Sequence, residues 1–413
     1  MRTLFFNPQS IVTVNTSGKN VKAGKEQNEI SPLSGHSILC KDGIILDFVK
    51  NELAGEIEVD RTYDLSGKTV LPGLIDCHTH TVFAGSRADE FKEKIAGVDY
   101  EDIARRGGGI LSTVNSVRKA SVEELYNIAK PRVEYFISQG VTTLEIKSGY
   151  GLSFEDEIKL LETVKLLKSH FPIDIVATFL GAHTFPPEYK KNREGYLQLL
   201  IDKMLPYISE NKLAEYCDAF CEATAFSAEE TDRIFSAASK LGFMLKLHTE
   251  QFNNIGGIPL AVKHNCTSVD HLEVFNDDQV ADLQETGIVS VLLPGVSFFL
   301  NYGYAPARKL ISANIPVALS TDFNPGSSHI SNINLIMSLA AIKMRMTVEE
   351  TISAVTINAA KAINREKISG SIEIGKNADF AVFDTQNYAD IVYHVGKNLN
   401  VMTVKDGNVI YSL

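Results

Sequence analysis

The sequence lacks an uninterrupted apolar run of about 18 residues, the length that a membrane-spanning helix needs. Its first residues, MRTLFFNPQSIVTVN, lack the sustained apolar core and the small-residue cleavage site of a signal peptide. A basic surplus is also absent, since 40 lysines and arginines face 51 aspartates and glutamates, for a formal net charge of −11. We therefore expect a cytoplasmic protein that binds neither nucleic acid nor membranes.

Cysteine is scarce, with five in 413 residues, and four of the five lie in apolar or strand-like runs. The odd number and this placement favour reduced thiols over a disulfide framework. Cys217 and Cys221 could suggest a metal-binding pair. Their spacing is longer than that of a zinc-ribbon CxxC, however, and no second pair follows, so we expect no metal there.

Both ends of the chain have the pattern of short strands joined by tight turns. Residues 37–50, SILCKDGIILDFVK, and residues 401–413, VMTVKDGNVIYSL, each place an Asp-Gly pair between two apolar runs, a typical hairpin signal. The simplest interpretation joins both ends in one small domain and brings the termini together. We expect a composite β-sandwich built from residues 1–66 and 366–413.

The middle of the chain alternates strand-like and helical patterns, such as the helix-initiating capping box Ser121-x-x-Glu124. This alternation predicts an α/β protein with a (β/α)8 TIM barrel over residues 67–365, a fold that typically needs about 250 residues. An open doubly wound sheet is the alternative, but no Gly-rich phosphate loop follows the first strand. The eight strand-like apolar runs are 70–76, 141–146, 174–181, 217–222, 243–247, 268–271, 288–293 and 316–320.

The stretch 85–120 is less regular than the rest of the middle. It contains the segment RRGGGI, residues 105–110, and is longer than most connections in compact domains. We expect a long loop over the active site, with a surface excursion as the alternative.

Polar residues follow several of the predicted strands, where barrel enzymes place their chemistry. Ten histidines occur in the chain, and five of them lie at these strand ends. A single histidine there would often be structural, but a structural role hardly explains five at one predicted rim. The five are His78, His80, His183, His248 and His271.

A metal site is the chemistry that these residues favour. His78 and His80 are two apart on a strand, so both imidazoles point to the same side. His248 adds a third nitrogen and Asp322 a carboxylate, a set that suits one divalent or trivalent ion, zinc or iron. Such an ion would lower the pKa of a bound water from about 15.7 towards roughly 7, and Asp322 could take a proton from that water.

The segments VLPGLIDCHTH, STDFNPGSS and GKNADFAVFD, at residues 70–80, 320–328 and 375–384, resemble the amidohydrolase superfamily. The resemblance spans the whole chain and implies a barrel, a composite β-sandwich and metal-assisted hydrolysis. No lysine lies in CDAFCEA, residues 217–223, where two-metal members carry a bridging lysine. The single-metal pattern therefore fits better.

Within that superfamily the chain is most similar to the imidazolonepropionase family, through HTHTVFAGSRADEF, EIKSGYGL, FLGAHTFPPEY, KLHTEQF and VDHLE. This resemblance implies hydrolysis of 4-imidazolone-5-propanoate, a small anionic heterocycle, to N-formimidoyl-L-glutamate in histidine degradation. It also implies a homodimer. The residues that it implies for substrate or product binding are Arg87, Tyr150, His183, Asn324, Gly326 and Ser327.

Residue chemistry agrees with such a substrate. A guanidinium can bind a carboxylate through two parallel hydrogen bonds, which suits Arg87, although a surface ion pair with Asp89 or Glu90 is the alternative. Tyr150 could bound a flat ring or simply pack. The segment NPGSS, residues 324–328, could offer backbone N–H groups as a second anion cradle, or form an ordinary turn.

Proton transfer has two candidate residues after the fifth predicted strand. Some members of the resembled family carry glutamate three residues after the strand-five histidine, where this chain has Gln251, preceded by Glu250. Glutamine cannot act as a base, so either Gln251 positions the ring or Glu250 turns into the site; we favour the first. His271 would then polarise the ring carbonyl, and Asp322 would shuttle the proton.

Two other functions stay open on sequence grounds. Another single-metal amidohydrolase, such as a cyclic amide hydrolase or a nucleobase deaminase, would share the metal site and differ in the pocket. A non-catalytic scaffold of the same fold is the remote alternative. Such a scaffold would have lost its metal ligands, whereas this chain has a ligand residue at all four expected positions.

Overall fold

The computed structural model describes residues 1–97 and 108–413 of the chain. Its strands, labelled in chain order, are β1 Arg2–Phe6, β2 Ser10–Val12, β3 Pro32–Leu33, β4 His36–Lys41, β5 Ile44–Lys50, β6 Arg61–Asp64, β7 Thr69–Pro72, β8 Leu74–Asp76, β9 Val141–Lys147, β10 Asp174–Ala182, β11 Tyr216–Cys221, β12 Met244–Thr249, β13 Ser268–His271, β14 Val289–Leu292, β15 Val317–Leu319, β16 Phe380–Phe383, β17 Asn400–Lys405 and β18 Asn408–Ser412.

Helices occupy most of the connections between these strands. In chain order the longer ones are Ala88–Ile95, Ile110–Lys119, Val122–Ser138, Phe154–His170, Arg193–Gln198, Leu205–Glu210, Ala228–Lys240, Gly257–Lys263, Pro294–Leu300, Ala307–Ser312, Ile333–Met344, Val348–Ala354 and Ile357–Ala362, with single turns at Val280–Leu283 and Asp390–Tyr393. The Ser121 capping box begins the helix Val122–Ser138 as expected.

Eight parallel strands, β8 to β15, lie side by side in their order along the chain. The first and last meet just beyond their ends, through an isolated parallel bridge between Thr79 and Phe323. There the Asp322 amide donates to the His78 carbonyl over 3.0 Å, and the His80 amide donates to the Phe323 carbonyl over 2.9 Å. The predicted (β/α)8 barrel is confirmed, and the alternative prediction of an open doubly wound sheet is wrong.

The first barrel strand differs from its prediction. The apolar run 70–76 is not one strand: β7 pairs with β16 in a different sheet, and only β8 enters the barrel. The break falls at Gly73, where an added Cβ would lie 2.2 Å from Thr142 Oγ1. The chain crosses between two sheets at a place too crowded for a side chain, which an apolar run cannot reveal.

Both chain ends build the smaller domain. One sheet has the order β18-β17-β16-β7-β2-β3 and mixes strands from the two ends, while the other has the order β5-β4-β1-β6. The sheets pack face to face through one apolar cluster, in which the rings of Phe5 and Phe380 meet edge-to-face at 5.2 Å. The composite β-sandwich is confirmed. β7 also belongs to this sandwich. The domain bounds 1–66, 67–365 and 366–413 stay predictions.

The sequence predicted one long loop over residues 85–120, but the structure shows helices there. Helices Ala88–Ile95 and Ile110–Lys119 occupy much of this stretch, and the second buries Val114 and Val117, of which Val117 belongs to the barrel core. These valines are three apart, a helical spacing that the neighbouring glycines obscured. Residues 98–107, which include Arg105, Arg106 and Gly107 of RRGGGI, lie outside the described residues.

Two expectations about the whole chain concern membranes and thiols. Among the described residues, we find no helix whose length and apolar character would let it cross a membrane. All five cysteines are free and buried, as the reduced interpretation requires. Burial raises the pKa of Cys40 and of Cys221 to about 12, so these thiols are protonated at neutral pH.

Candidate metal centre and substrate cavity

His78 and His80 follow β8 on the rim of the barrel where the strands end, and Asp322 lies beside them just after β15. One ligand atom from each of the three lies within 4.8 Å of the others. The Nε2 atom of His78 is 3.5 Å, and that of His80 is 3.4 Å, from Oδ1 of Asp322. All three side chains are buried. The structure therefore brings the expected N-terminal pair and the late carboxylate together.

His248, near the end of β12, completes the expected set. Its ring lies 4.4 Å from that of His78 and 5.9 Å from that of His80, between centroids. A second compact group consists of His78, His248 and His271. The four expected ligands thus lie in two overlapping groups that share His78, and His271 borders them as an additional imidazole.

Two carboxylates that the sequence interpretation missed lie behind these imidazoles. Oδ2 of Asp270 is 2.6 Å from Nδ1 of His78, and Oδ2 of Asp218 is 3.0 Å from Nδ1 of His248. A carboxylate that accepts from Nδ1–H fixes the ring orientation and leaves Nε2 as a lone-pair donor. The hydrogen bond between His78 and Asp270 therefore orients the His78 imidazole as metal ligands usually are, whereas Nδ1 of His248 lies close to Asp218 without hydrogen-bond geometry.

A buried ionic network fills the barrel below this rim. Lys147 Nζ lies 2.8 Å from Asp218 Oδ2 and 3.0 Å from Glu145 Oε1, and Lys246 Nζ lies 2.8 Å from Glu145 Oε2. Burial alone lowers the pKa of Lys147, but Asp218 and Glu145 outweigh it and hold that pKa above its ordinary value. In the sequence, this network could have been predicted from charged residues that lie two apart inside apolar strands, as at positions 145 and 147.

The backbone is strained where the site residues emerge from their strands. The φ angles are +88° at His271, +47° at Asp322 and +57° at Glu250, all in the left-handed region that side chains other than glycine rarely adopt. Such strain persists only where surrounding contacts hold it, and it clusters at functional sites.

A cavity of about 840 Å³ opens beside the candidate metal ligands His78, His80, His248 and Asp322. Its wall contains all the residues that the resemblance implied for substrate binding, together with one of the proton-transfer candidates. These seven lining residues are Arg87, Tyr150, His183, Gln251, Asn324, Gly326 and Ser327.

Arg87 both lines the cavity and makes an ion pair. Its Nε donates to Oε2 of Glu90 over 2.8 Å, so the alternative of a local ion pair is also present. A Cβ added to Gly326 would lie 2.1 Å from Nη1 of Arg87, so the guanidinium rests against this glycine. Glu90 holds one edge of the guanidinium while Nη1 reaches the cavity wall.

The segment NPGSS forms an Asx turn rather than an open anion cradle. Oδ1 of Asn324 accepts from the amides of Gly326 and Ser327, each over 2.8 Å, while its Nδ2 donates to the Asp322 carbonyl over 2.7 Å. These amides already have an acceptor, so the cradle expectation is wrong. The turn instead holds Asp322 and Gly326 at fixed positions.

Tyr150 and His183 lie together in the cavity wall, with ring centroids 5.4 Å apart. Nδ1 of His183 is 2.9 Å from the Gly149 carbonyl, which can only accept, so Nδ1 carries the hydrogen. Burial lowers the pKa of His183 to about 4, so the ring is neutral and its Nε2 is an acceptor.

The structure separates the two candidates after β12. Glu250 does not line the cavity: its Oε1 accepts from Nε2 of Gln279 over 2.9 Å, and burial raises its pKa to about 7. Gln251 does line the cavity. Its amide and that of Phe252 each donate to Oε1 of Glu222 over 2.9 Å, which anchors the loop. This geometry favours Gln251 over Glu250.

His271, the candidate for polarising a carbonyl, faces a buried carboxylate. Its Nδ1 is 3.5 Å from Oε2 of Glu273. Burial lowers the pKa of His271, but Glu273, together with the charges of Asp322 and Asp270, outweighs this effect and the pKa lies above its ordinary value. A raised pKa favours the protonated imidazole, in which both ring nitrogens of His271 carry a hydrogen and can donate.

Known proteins resemble this chain over most of its length. The model of the amidohydrolase family matches residues 101–411. An imidazolonepropionase from Flavobacterium johnsoniae is 44% identical over 411 residues, which cover 99% of this chain and 100% of the relative. Another from Alkaliphilus oremlandii is 46% identical over 408 residues, covering 98% and 96%.

Solved structures support the fold. An adenosine deaminase from Xanthomonas campestris with bound zinc has a TM-score of 0.74 at 16% identity, covering 99% of this chain and 93% of that one. An atrazine chlorohydrolase from Arthrobacter aurescens, also complexed with zinc, has a TM-score of 0.72 at 16% identity, covering 99% and 95%. At such identities the similarity extends to the architecture alone.

Proposed function

The chain belongs to the imidazolonepropionase family of amidohydrolases, and from this premise we propose that it hydrolyses 4-imidazolone-5-propanoate to N-formimidoyl-L-glutamate. One bound zinc or iron ion is part of the proposal. The observation that carries it is the placement of Arg87, Tyr150 and His183 in the wall of one cavity beside the cluster of His78, His80, His248 and Asp322.

The donor set fits a metal ion. Among the described residues, Nε2 of His78, Nε2 of His248 and Oδ1 of Asp322 are buried without a hydrogen-bond partner, an expensive arrangement unless something else binds them. Imidazole and carboxylate are the ligands that zinc and iron accept in mononuclear hydrolytic sites. We assign His78, His80, His248 and Asp322 as the residues that would hold the ion.

An ion at this place would lower the pKa of a water molecule towards neutrality and so supply the nucleophile. The chain's own residues do the rest. His271 donates a hydrogen bond to the ring carbonyl oxygen, on which negative charge develops. The carboxylate of Asp322 accepts the proton of the attacking water and passes it to the ring nitrogen as the carbonyl carbon–nitrogen bond breaks.

The proposed orientation of the substrate follows from the residues that line the cavity. Nη1 of Arg87 lies beside Gly326, where it can bind the propanoate through a charge-assisted hydrogen bond. Tyr150 and the neutral His183 bound the flat ring, and Gln251 offers a neutral amide to the ring edge. Asn324 and Ser327, in the turn after Asp322, complete the wall at its polar end.

A turnover assay with metal analysis tests the proposal. Purified protein loaded with zinc or iron is mixed with freshly prepared 4-imidazolone-5-propanoate, and loss of substrate and formation of N-formimidoyl-L-glutamate are followed. The expected metal content is about one ion per chain. No turnover by loaded protein, together with ammonia release from a nucleobase, would replace the proposal by a deaminase. No bound metal would favour a non-catalytic scaffold.

The proposal extends to the protein's setting. Free buried cysteines and the net charge of −11 support a cytoplasmic protein that does not bind nucleic acid. A homodimer is proposed from the family resemblance. Light scattering coupled to gel filtration measures it directly, with a mass near 45.4 kDa contradicting the dimer.

A further inference from the structure

The loop Ser148–Leu152 after β9 controls two of the proposed substrate contacts. It carries Tyr150, and the carbonyl of Gly149 within it accepts the Nδ1 hydrogen of His183. Its backbone takes unusual conformations, with φ of +111° at Gly149 and +53° at Leu152. The position of Tyr150 and the tautomer of His183 therefore depend on one short loop.

A buried glutamate holds this loop. Glu157, in the first turns of the helix Phe154–His170, is fully buried, and its two oxygens bind three amides of the loop. Oε2 accepts from Gly149 over 3.1 Å, while Oε1 accepts from Gly151 over 2.7 Å and from Leu152 over 2.9 Å. The carboxylate thus grips the loop on both sides of Tyr150.

The loop has little freedom to relax elsewhere. A Cβ on Gly151 would lie 2.5 Å from the carbonyl carbon of Asp156, and one on Gly149 would lie 2.9 Å from the Leu180 carbonyl oxygen. The amide of Leu180 in turn donates to Oγ of Ser148 over 3.0 Å. The loop is packed closely against Asp156 on one side and Leu180 on the other, so its conformation is set by this packing together with the contacts to Glu157.

We propose that Glu157 is a positioning residue for substrate binding, which fixes Tyr150 through the amides of Gly149 and Gly151 on either side of it, and His183 through the Gly149 peptide. This inference rests on the proposed function, since it deepens the role of the same cavity. Glu157 itself does not line the cavity, and its hydrogen bonds go to the loop and not to a candidate metal ligand. Its effect therefore reaches the substrate only through the loop.

The variant Glu157→Gln tests the idea with minimal change in shape. Its NH2 group cannot accept, so either the Gly149 amide or the pair of amides at Gly151 and Leu152 loses its acceptor. We expect KM for 4-imidazolone-5-propanoate to rise about tenfold or more while kcat changes less than about threefold, as for a loss of binding. Metal content should stay at the wild-type value.

A matched control distinguishes positioning from general stability. Glu350 is also buried and accepts a backbone amide, that of Thr347 over 2.8 Å, but it lies outside the cavity wall. Glu350→Gln should lower Tm without changing KM. If Glu157→Gln lowers Tm similarly and leaves KM within about twofold of wild type, Glu157 is merely structural and the inference is wrong.

A second variant and a binding measurement test the inference if Glu157→Gln does not fold or if the protein shows no turnover. Should Glu157→Gln not fold, Glu157→Asp keeps the charge but draws it back by one methylene, and an unchanged KM in that variant also contradicts the inference. Binding of imidazole-4-propanoate, measured by calorimetry, needs no turnover. If wild type shows no turnover, the proposed function fails, whereas a Kd about tenfold weaker in the variant still supports the positioning role.

Discussion

The carboxylate of Asp270 lies 2.6 Å from Nδ1 of His78, although the two residues are 192 positions apart in sequence. This contact sets which nitrogen of His78 faces Asp322. In Asp270→Asn the amide oxygen is a weaker acceptor and the amide can turn its donor to the ring, so the orientation of His78 is no longer fixed. We expect about 10–100-fold weaker metal binding, measured by competition with a chelator of known affinity.

The chain offers a matched control for this variant. Asp232 Oδ1 lies 2.6 Å from Nε2 of His264, a similar carboxylate–imidazole contact outside the site. Asp232→Asn should leave metal affinity unchanged. Equal affinities for both variants and wild type would show that the contact does not tune the metal ligand.

Gly326→Ala should weaken substrate binding without unfolding the protein. The new Cβ would lie 2.1 Å from Nη1 of Arg87, and the flexible end of that side chain can move away at little cost to stability. Displacing the guanidinium removes a charge-assisted contact worth about 1.5–3 kcal/mol, so KM should rise about tenfold or more. Gly55→Ala, where no atom lies within 4 Å of the added Cβ, is the control. An unchanged KM would contradict the assigned role of Arg87.

Sequence reasoning predicted the barrel and the gathering of His78, His80, His248 and Asp322 for one physical reason. Each residue follows a predicted parallel strand, and the carboxyl ends of parallel strands meet at one rim. That argument needs only strand order and strand ends. The amphipathic patterns along the chain supply both, and the composite sandwich followed similarly from the Asp-Gly hairpins at both ends.

Contacts between strands and loops were beyond this reasoning. The pairing of Asp270 with His78 and of Lys147 with Asp218 depends on side chains that meet across the barrel interior, which a local pattern does not specify. Glu157 gave no signal either, because it lies on a helix and acts on a loop before it. The helix Ala88–Ile95 was missed for another reason: its apolar residues Ala88, Phe91 and Ile95 have helical spacing, but the helix is only eight residues long and buries none of them.

The two candidates after β12 should respond differently to substitution. Gln251→Ala removes an amide from the cavity wall, and loss of a hydrogen bond worth about 0.5–1.5 kcal/mol lowers kcat/KM by up to about tenfold. Glu250→Gln keeps the shape of a residue that faces Gln279, so kcat/KM should stay within about twofold of wild type. Steady-state kinetics on both variants decide the matter. A large loss in Glu250→Gln would reverse the assignment.

Lys147→Met should destabilise the fold more than any exposed substitution. Lys147 is fully buried between Glu145 and Asp218, and its removal leaves their charges uncompensated in the barrel interior. Breaking such a buried network by deleting one partner typically costs about 3–5 kcal/mol in the free energy of unfolding.

The measurement is equilibrium urea unfolding with a chelator present, so that loss of metal does not contribute to the difference. Lys130→Met is the control, because its ion pair with Glu134 is half exposed and spans 3.9 Å. That pair is worth less than about 1 kcal/mol. A similar small effect for both variants would mean that the interior carboxylates rearrange or bind protons without Lys147, and that the network does not hold Asp218 against His248.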